Sequence, residues 1–135
     1  MKLLVLLAAD YASLETNGKL NVMGIFRHIY ARAFPARHST MYLVAKLGAD
    51  LGETSEERQL VIKLLDKDGS EIVQFEQPFS FPEPTGGQRP EANFIVRIND
   101  LVFEKPGVYD FVLLVDGYHQ GDIEIDLVKL ETPSE

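Results

Sequence analysis

The sequence predicts a soluble all-β domain: an antiparallel two-sheet sandwich, immunoglobulin-like or C2-like, with about eight strands. Three observations predict it. Short apolar runs recur along the chain, with Asn-Gly, Asp-Gly or Pro-Gly pairs between them. Such pairs favour hairpin turns because their residues tolerate positive φ. Helical periodicity is weak, and only Asp10 to Glu15 offers a single helical turn. No crossover helix separates the runs, so the expected pairing is antiparallel.

The elements follow in order. Lys2 to Ala9 is the first strand; its apolar stretch is short for a signal peptide and meets Asp10 at once. Asn17-Gly18 turns the chain into a second strand from Lys19 to about Tyr30, with a break expected near Gly24. Phe34-Pro35 interrupts pairing, and a third strand runs from about Thr40 to Leu47. Gly48 to Glu57 is an acidic loop. Arg58 to Leu65 is the fourth strand, Asp66 to Gly69 a tight turn, and Glu71 to about Glu76 the fifth strand. Pro78 to Pro90 holds four prolines and a Gly-Gly pair, which make it a long loop. Ala92 to Ile98 is the sixth strand, and Pro106-Gly107 opens the seventh, Val108 to Val115. Asp116-Gly117 is a further hairpin. Gly121 marks a bulge or short turn before the eighth strand, Ile123 to Lys129.

Length and composition bound the rest. The chain has 135 residues, a common size for one domain, which is placed at 1–130 with a polar tail over 131–135. It has no cysteine, which excludes disulfides and thiolate chemistry and fits a reducing, cytoplasmic compartment. Its net charge is −8, with 13 basic residues against 21 acidic and no basic run. That balance argues against nucleic-acid and anionic-membrane partners, which need clustered Lys and Arg. No run approaches the ~18 apolar residues of a membrane span.

Strand faces carry a further message. Ile123, Ile125 and Leu127 alternate with Glu124 and Asp126, as a strand with one wet face does. Leu3 to Leu7 and Phe111 to Val115 are apolar on both sides, and Leu60 to Leu65 nearly so. Their outer faces are expected to be covered, either by the Pro78 to Pro90 loop or by a second copy of the chain.

Chemical motifs are weak. Asp66-x-Asp68-Gly69 with Glu71 opens like a calcium loop, but Gln77 stands where the bidentate glutamate belongs and no helices flank it. Asp50, Glu53, Glu56 and Glu57 would complete a cation site only if the two loops met. His28, His38 and His119 have no zinc-ligand spacing, and no serine lies in a Gly-x-Ser-x-Gly elbow. The expected catalytic residues, metal and cofactor are therefore none. Phe34, His38, Phe79, Phe81 and Tyr118 are the candidate binding residues. The four rings fall in or beside loops, where they either form a stacking platform or plug the core.

Several of these segments together resemble a small bacterial family catalogued only as a domain of unknown function. They are the Leu-Leu pair of the first strand with Asp10-Tyr11, Asn17-Gly18-Lys19-Leu20, Gly24-Ile25-Phe26 with Ile29, and Phe34-Pro35-Ala36 with His38. Asp66-x-Asp68-Gly69, Pro106 to Phe111 and Asp116-Gly117 complete the set. Members commonly carry a cysteine before the first aspartate, where this chain has Ala9. The resemblance implies a compact β-sandwich in bacterial cytoplasm and no known activity. The expected function is a non-catalytic protein-binding or self-assembling module. The alternatives are a small-molecule or carbohydrate binder using the loop aromatics, and an enzyme with an unfamiliar site near His38.

Overall fold

A computed structural model describes residues 1–50 and 52–131. Those residues form nine strands and no helix: β1 (Lys2–Leu14), β2 (Leu20–Phe26), β3 (His28–Ala31), β4 (Ala36–Gly48) and β5 (Arg58–Leu65). β6 (Glu71–Phe79), β7 (Glu91–Phe103), β8 (Gly107–Val115) and β9 (Tyr118–Lys129) follow. One sheet has the order β2-β1-β4-β7 and the other β3-β9-β8-β5-β6. No helix among the described residues is long and apolar enough to cross a membrane. Of the tail expected over 131–135, residues 132–135 lie outside the described region.

Both sheets feed one core. Met41, Leu43, Ala45 and Leu47 of β4 meet Leu60, Ile62 and Leu64 of β5 and Phe111 and Leu113 of β8, all buried. The hairpins follow their turn chemistry. Asp66 Oδ1 accepts the backbone N–H of Asp68 and of Ser70, each at 2.9 Å, which ties the β5–β6 turn. Asp116 and Gly117 both take positive φ, 50° and 84°, the backbone of a two-residue hairpin.

Four expectations need correction. The second strand does not run on unbroken to Tyr30: its break comes at Arg27, three residues past the expected Gly24, which itself takes φ 70°. It crosses from one sheet to the other at Arg27, whose carbonyl accepts the Asp126 N–H at 2.8 Å. β3 therefore arrives beside β9 in parallel. The rule that parallel pairs need a helical crossover governs consecutive strands, and β3 and β9 are far apart in sequence. Asp10 to Glu15 is not helical, because residues 10–14 continue β1 and pair with β2 across the Asn17-Gly18 turn. The 80–90 loop covers no outer face. Its backbone bonds go to the 49–55 loop (Ala49 N–H to Pro90 O, 2.9 Å; Ser55 N–H to Phe81 O, 3.1 Å), so it closes one end of the core.

Besides β1, two strands outrun their expected ends. β6 continues through Pro78 because it is an edge strand, where a missing N–H costs no ladder bond. β7 continues from Ile98 to Phe103 through Asp100, which takes φ 55°. The inward row there changes from Phe94, Val96 and Ile98 to Leu101 and Phe103, which broke the alternation in the sequence. Beside Gly121, the β8–β9 register slips at Gln120, as a bulge there requires.

The link from β7 to β8 is held by one phenol. Tyr109 is buried, donates its hydroxyl to Lys105 O at 2.6 Å and accepts the Lys105 N–H at 3.2 Å. Its ring meets Phe103 edge-on, with centroids 4.9 Å apart. Tyr109→Phe is expected to cost about 1–2 kcal/mol, the value of a buried hydroxyl that leaves its backbone partners unpaired. Urea denaturation checks this; a loss within error of zero would remove the corner from the account.

Candidate functional site

The sheets meet closely along β1 and β9 and part along β6 and β7. At Gly121 of β9, an added Cβ would strike the Leu3 side chain of β1. On the other side, β6 pairs only with β5 and β7 only with β4. Each therefore keeps one edge without a strand partner.

Between those two edges runs an open seam. Its wider end is a cleft of about 730 Å³ and its narrower end one of about 460 Å³, with Phe75 and Arg97 shared by both. Residues 95–102 of β7 and 72–77 of β6 line it without a gap. Consecutive residues of both parities line a surface only where the backbone edge itself faces it. The inner wall is apolar: Val73, Phe75, Ile98 and Leu101, with buried Leu60 and Ile62 beneath. The rim is polar and of both signs, with Arg97, Asp100, Glu104 and Lys105.

The sequence matches the family described as "Family of unknown function (DUF6941)" over residues 4–128. The chain belongs to this family. The resemblance read from the scattered segments is thereby confirmed. No curated protein matches the DUF6941 chain. Among solved structures it is similar to the Pseudomonas fluorescens alkylpurine DNA glycosylase AlkC bound to DNA containing an abasic site analog. The identity is 14% and the TM-score 0.42, and the match covers 93% of this chain and 30% of that one. A likeness this distant carries no functional argument.

The DUF6941 fold does not gather the five expected binding residues. Phe81 is 1% exposed and meets Phe79 edge-on at 5.4 Å, while Phe79 meets Phe94 at 4.9 Å. These rings fill the end of the core. Phe34 packs against the core as well. His38, on β4, stands opposite Leu101 of β7, and its ring lies tilted against Phe26 with centroids 5.7 Å apart; its Nε2 is buried and makes no hydrogen bond. Tyr118 is 75% exposed at the β8–β9 hairpin. The strand registers put His38 near the start of β4 and Phe79 beside Arg58 at the far end of the molecule.

The acidic groups are also dispersed. The Asp66 turn and the 50–57 loop sit at opposite ends of β5. Asp50 and Glu53 hold the Met1 ammonium at 2.5 and 2.7 Å. That contact raises the ammonium's pKa and lowers both carboxyls. On the outer face of β8 and β9, Asp110 lies opposite Glu124 and diagonal to Asp122. Burial, then the Asp122 and Glu124 carboxyls, push Asp110 up to about 6, with His119 opposing.

The seam residues escaped the sequence reading. Strand order decides which edges are bare, and no local pattern encodes strand order. The one available signal was the imperfect alternation of Phe94 to Ile98, where Ile95 and Arg97 share a strand with the core row.

Proposed function

We propose that this domain is a non-catalytic protein-binding module that takes an extended segment of a partner into the seam between β6 and β7. The observation that carries the reading is the unbroken run of edge residues, 95–102 facing 72–77, above an apolar wall. A bare strand edge offers main-chain donors and acceptors in a row, and an added strand satisfies them. Alternate side chains of such a guest would enter the apolar wall, and the others would meet the rim charges. We read the two sheets as a sandwich of immunoglobulin-like or C2-like type. The Tyr109 corner supports the immunoglobulin-like type, where such a tyrosine commonly pins the turn between sheets. The cysteine-free composition supports a cytoplasmic setting.

A small-molecule ligand in the wider end is the second reading, favoured by its volume of about 730 Å³, within the ~300–1,000 Å³ usual for such sites. Selection from a displayed library of random peptides separates the two. The strand reading expects peptides of about eight residues with alternating apolar positions, binding at micromolar Kd and losing affinity when the alternation is scrambled. Failure to enrich any such pattern would sink it.

A further inference from the structure

We propose that the outer face of β1, β2 and β4 is the contact surface of a homodimer. Its β2 side lies away from the seam, while Tyr42 and Val44 stand beside Arg97 and Ile95 of β7, which line it. β2 packs on β1 and substantially on nothing else. β1 leaves β4 after Ala9, so residues 10–14 and their β2 partners form a two-stranded arm. The register places Leu7, Ala9 and Tyr11 of β1, Met23 and Ile25 of β2, and Tyr42 and Val44 of β4 on one face. Tyr11 and Tyr42 meet edge-on at 5.4 Å there. Ala9 and Val44 are already fully buried, while Met23 is 66%, Ile25 62% and Tyr11 49% exposed. Neighbouring side chains thus close the middle of the face and leave its β2 side bare.

Charge points to a second copy as the occupant. The chain carries −8, so two copies repel unless they meet where charge is absent. On β1, β2 and β4 this face carries one charged residue, Lys46, at its far end and 3.8 Å from Glu91, and Arg97 of β7 stands opposite Tyr42 at its border. β2 has no charged residue, whereas the other long edges carry Glu71 and Glu76 on β6, and Glu91, Arg97 and Asp100 on β7. Charged side chains are what commonly keep a free edge from self-association. An uncharged apolar face is self-complementary about a two-fold axis, with Met23 and Ile25 of each copy meeting the Tyr11–Tyr42 pair of the other. Depletion of charge and enrichment of Tyr and Met mark the centres of such interfaces.

The area sets the strength. β4 flanks β1 over residues 2–9 and β2 flanks it over residues 8–14, so the face is two strands wide along most of its length, roughly 10 by 40 Å. That is below the roughly 600 Å² per partner at which standard interfaces begin, so the dimer is expected to be weak and to form at tens of micromolar.

Sedimentation equilibrium from roughly 1 to 100 µM tests this. The expected mass at the upper end approaches twice the 15.2 kDa of the monomer. The double variant Met23→Lys, Ile25→Lys is expected to dissociate at least tenfold more readily while keeping the wild-type circular dichroism. Tyr11→Lys alone is the second variant, should the double one misfold. Ile72→Lys, on the seam, is expected to leave the dimer intact, which keeps this result independent of the seam. A wild-type monomer at 100 µM, or a dimer indifferent to both arm variants, overturns the proposal.

Discussion

Phe81→Ala is expected to destabilise the fold by about 3–5 kcal/mol, the cost of emptying a buried aromatic site that cannot collapse. Phe81 is 1% exposed and belongs to the core cluster despite lying between two proline-rich segments. Its ring supports Phe79, which supports Phe94. Its carbonyl accepts the Ser55 N–H at 3.1 Å, so the same residue fastens the 49–55 loop. Losing the ring would loosen both long loops at that end. Tyr118→Ala is the control: at 75% exposure its removal should change stability by no more than about 0.5 kcal/mol. Urea midpoints of the two variants decide the matter. A Phe81→Ala loss below about 1 kcal/mol would mean that the ring does not plug the core.

Asp110→Asn is expected to stabilise the protein by about 1–2 kcal/mol at pH 7.5. The Asp110 carboxyl is raised from 3.8 to about 6 by burial first and then by Asp122 and Glu124. One Oδ1 is buried without a partner. A raised carboxyl binds its proton more tightly folded than unfolded. Stability from this group therefore falls as pH climbs from about 4 to about 6, and the penalty is complete above 6. The full shift corresponds to about 3 kcal/mol, and solvent screening at a half-buried site roughly halves it. Wild type should thus be more stable at pH 5 than at pH 7.5, and Asp110→Asn should lose that difference. The lowered carboxyls of Asp50 and Glu53 act in the opposite sense and only as pH falls toward their own pKa values, so they leave this window clear. Thermal melts across the range check the sign. Equal slopes in wild type and variant would show that Asp110 does not carry the effect.

Local chemistry made much of this fold legible. The fourth expected strand coincides with β5, and the seventh differs from β8 by one residue. Both are flanked by turns whose Asp-Gly pairs need positive φ at glycine, and in Asp116-Gly117 at the aspartate too. Burial was legible where a row alternates, as with Ile125 and Leu127. What failed to read was non-local. Arg27 carries no mark that a strand will change sheets there. Asp100 reads as a strand end, because one left-handed residue moves the inward row by one position. Phe81 reads as a loop ring because its burial depends on a second loop 26 residues earlier. The doubly apolar Leu3 to Leu7 led to the expectation of a covered outer face; that the apolar face extends onto Met23 and Ile25 depends on pairing that only the fold supplies.

The seam is the centre of the functional account, and amide hydrogen exchange with a selected peptide tests it most directly. In an edge strand every second N–H faces outward, while its neighbours already bond to the inner strand. Binding is predicted to slow exchange at alternate amides within residues 95–102 or 72–77, leaving those bonded to β4 or β5 unchanged. Protection confined to β2 or to the loops, or no protection along either edge, would contradict it.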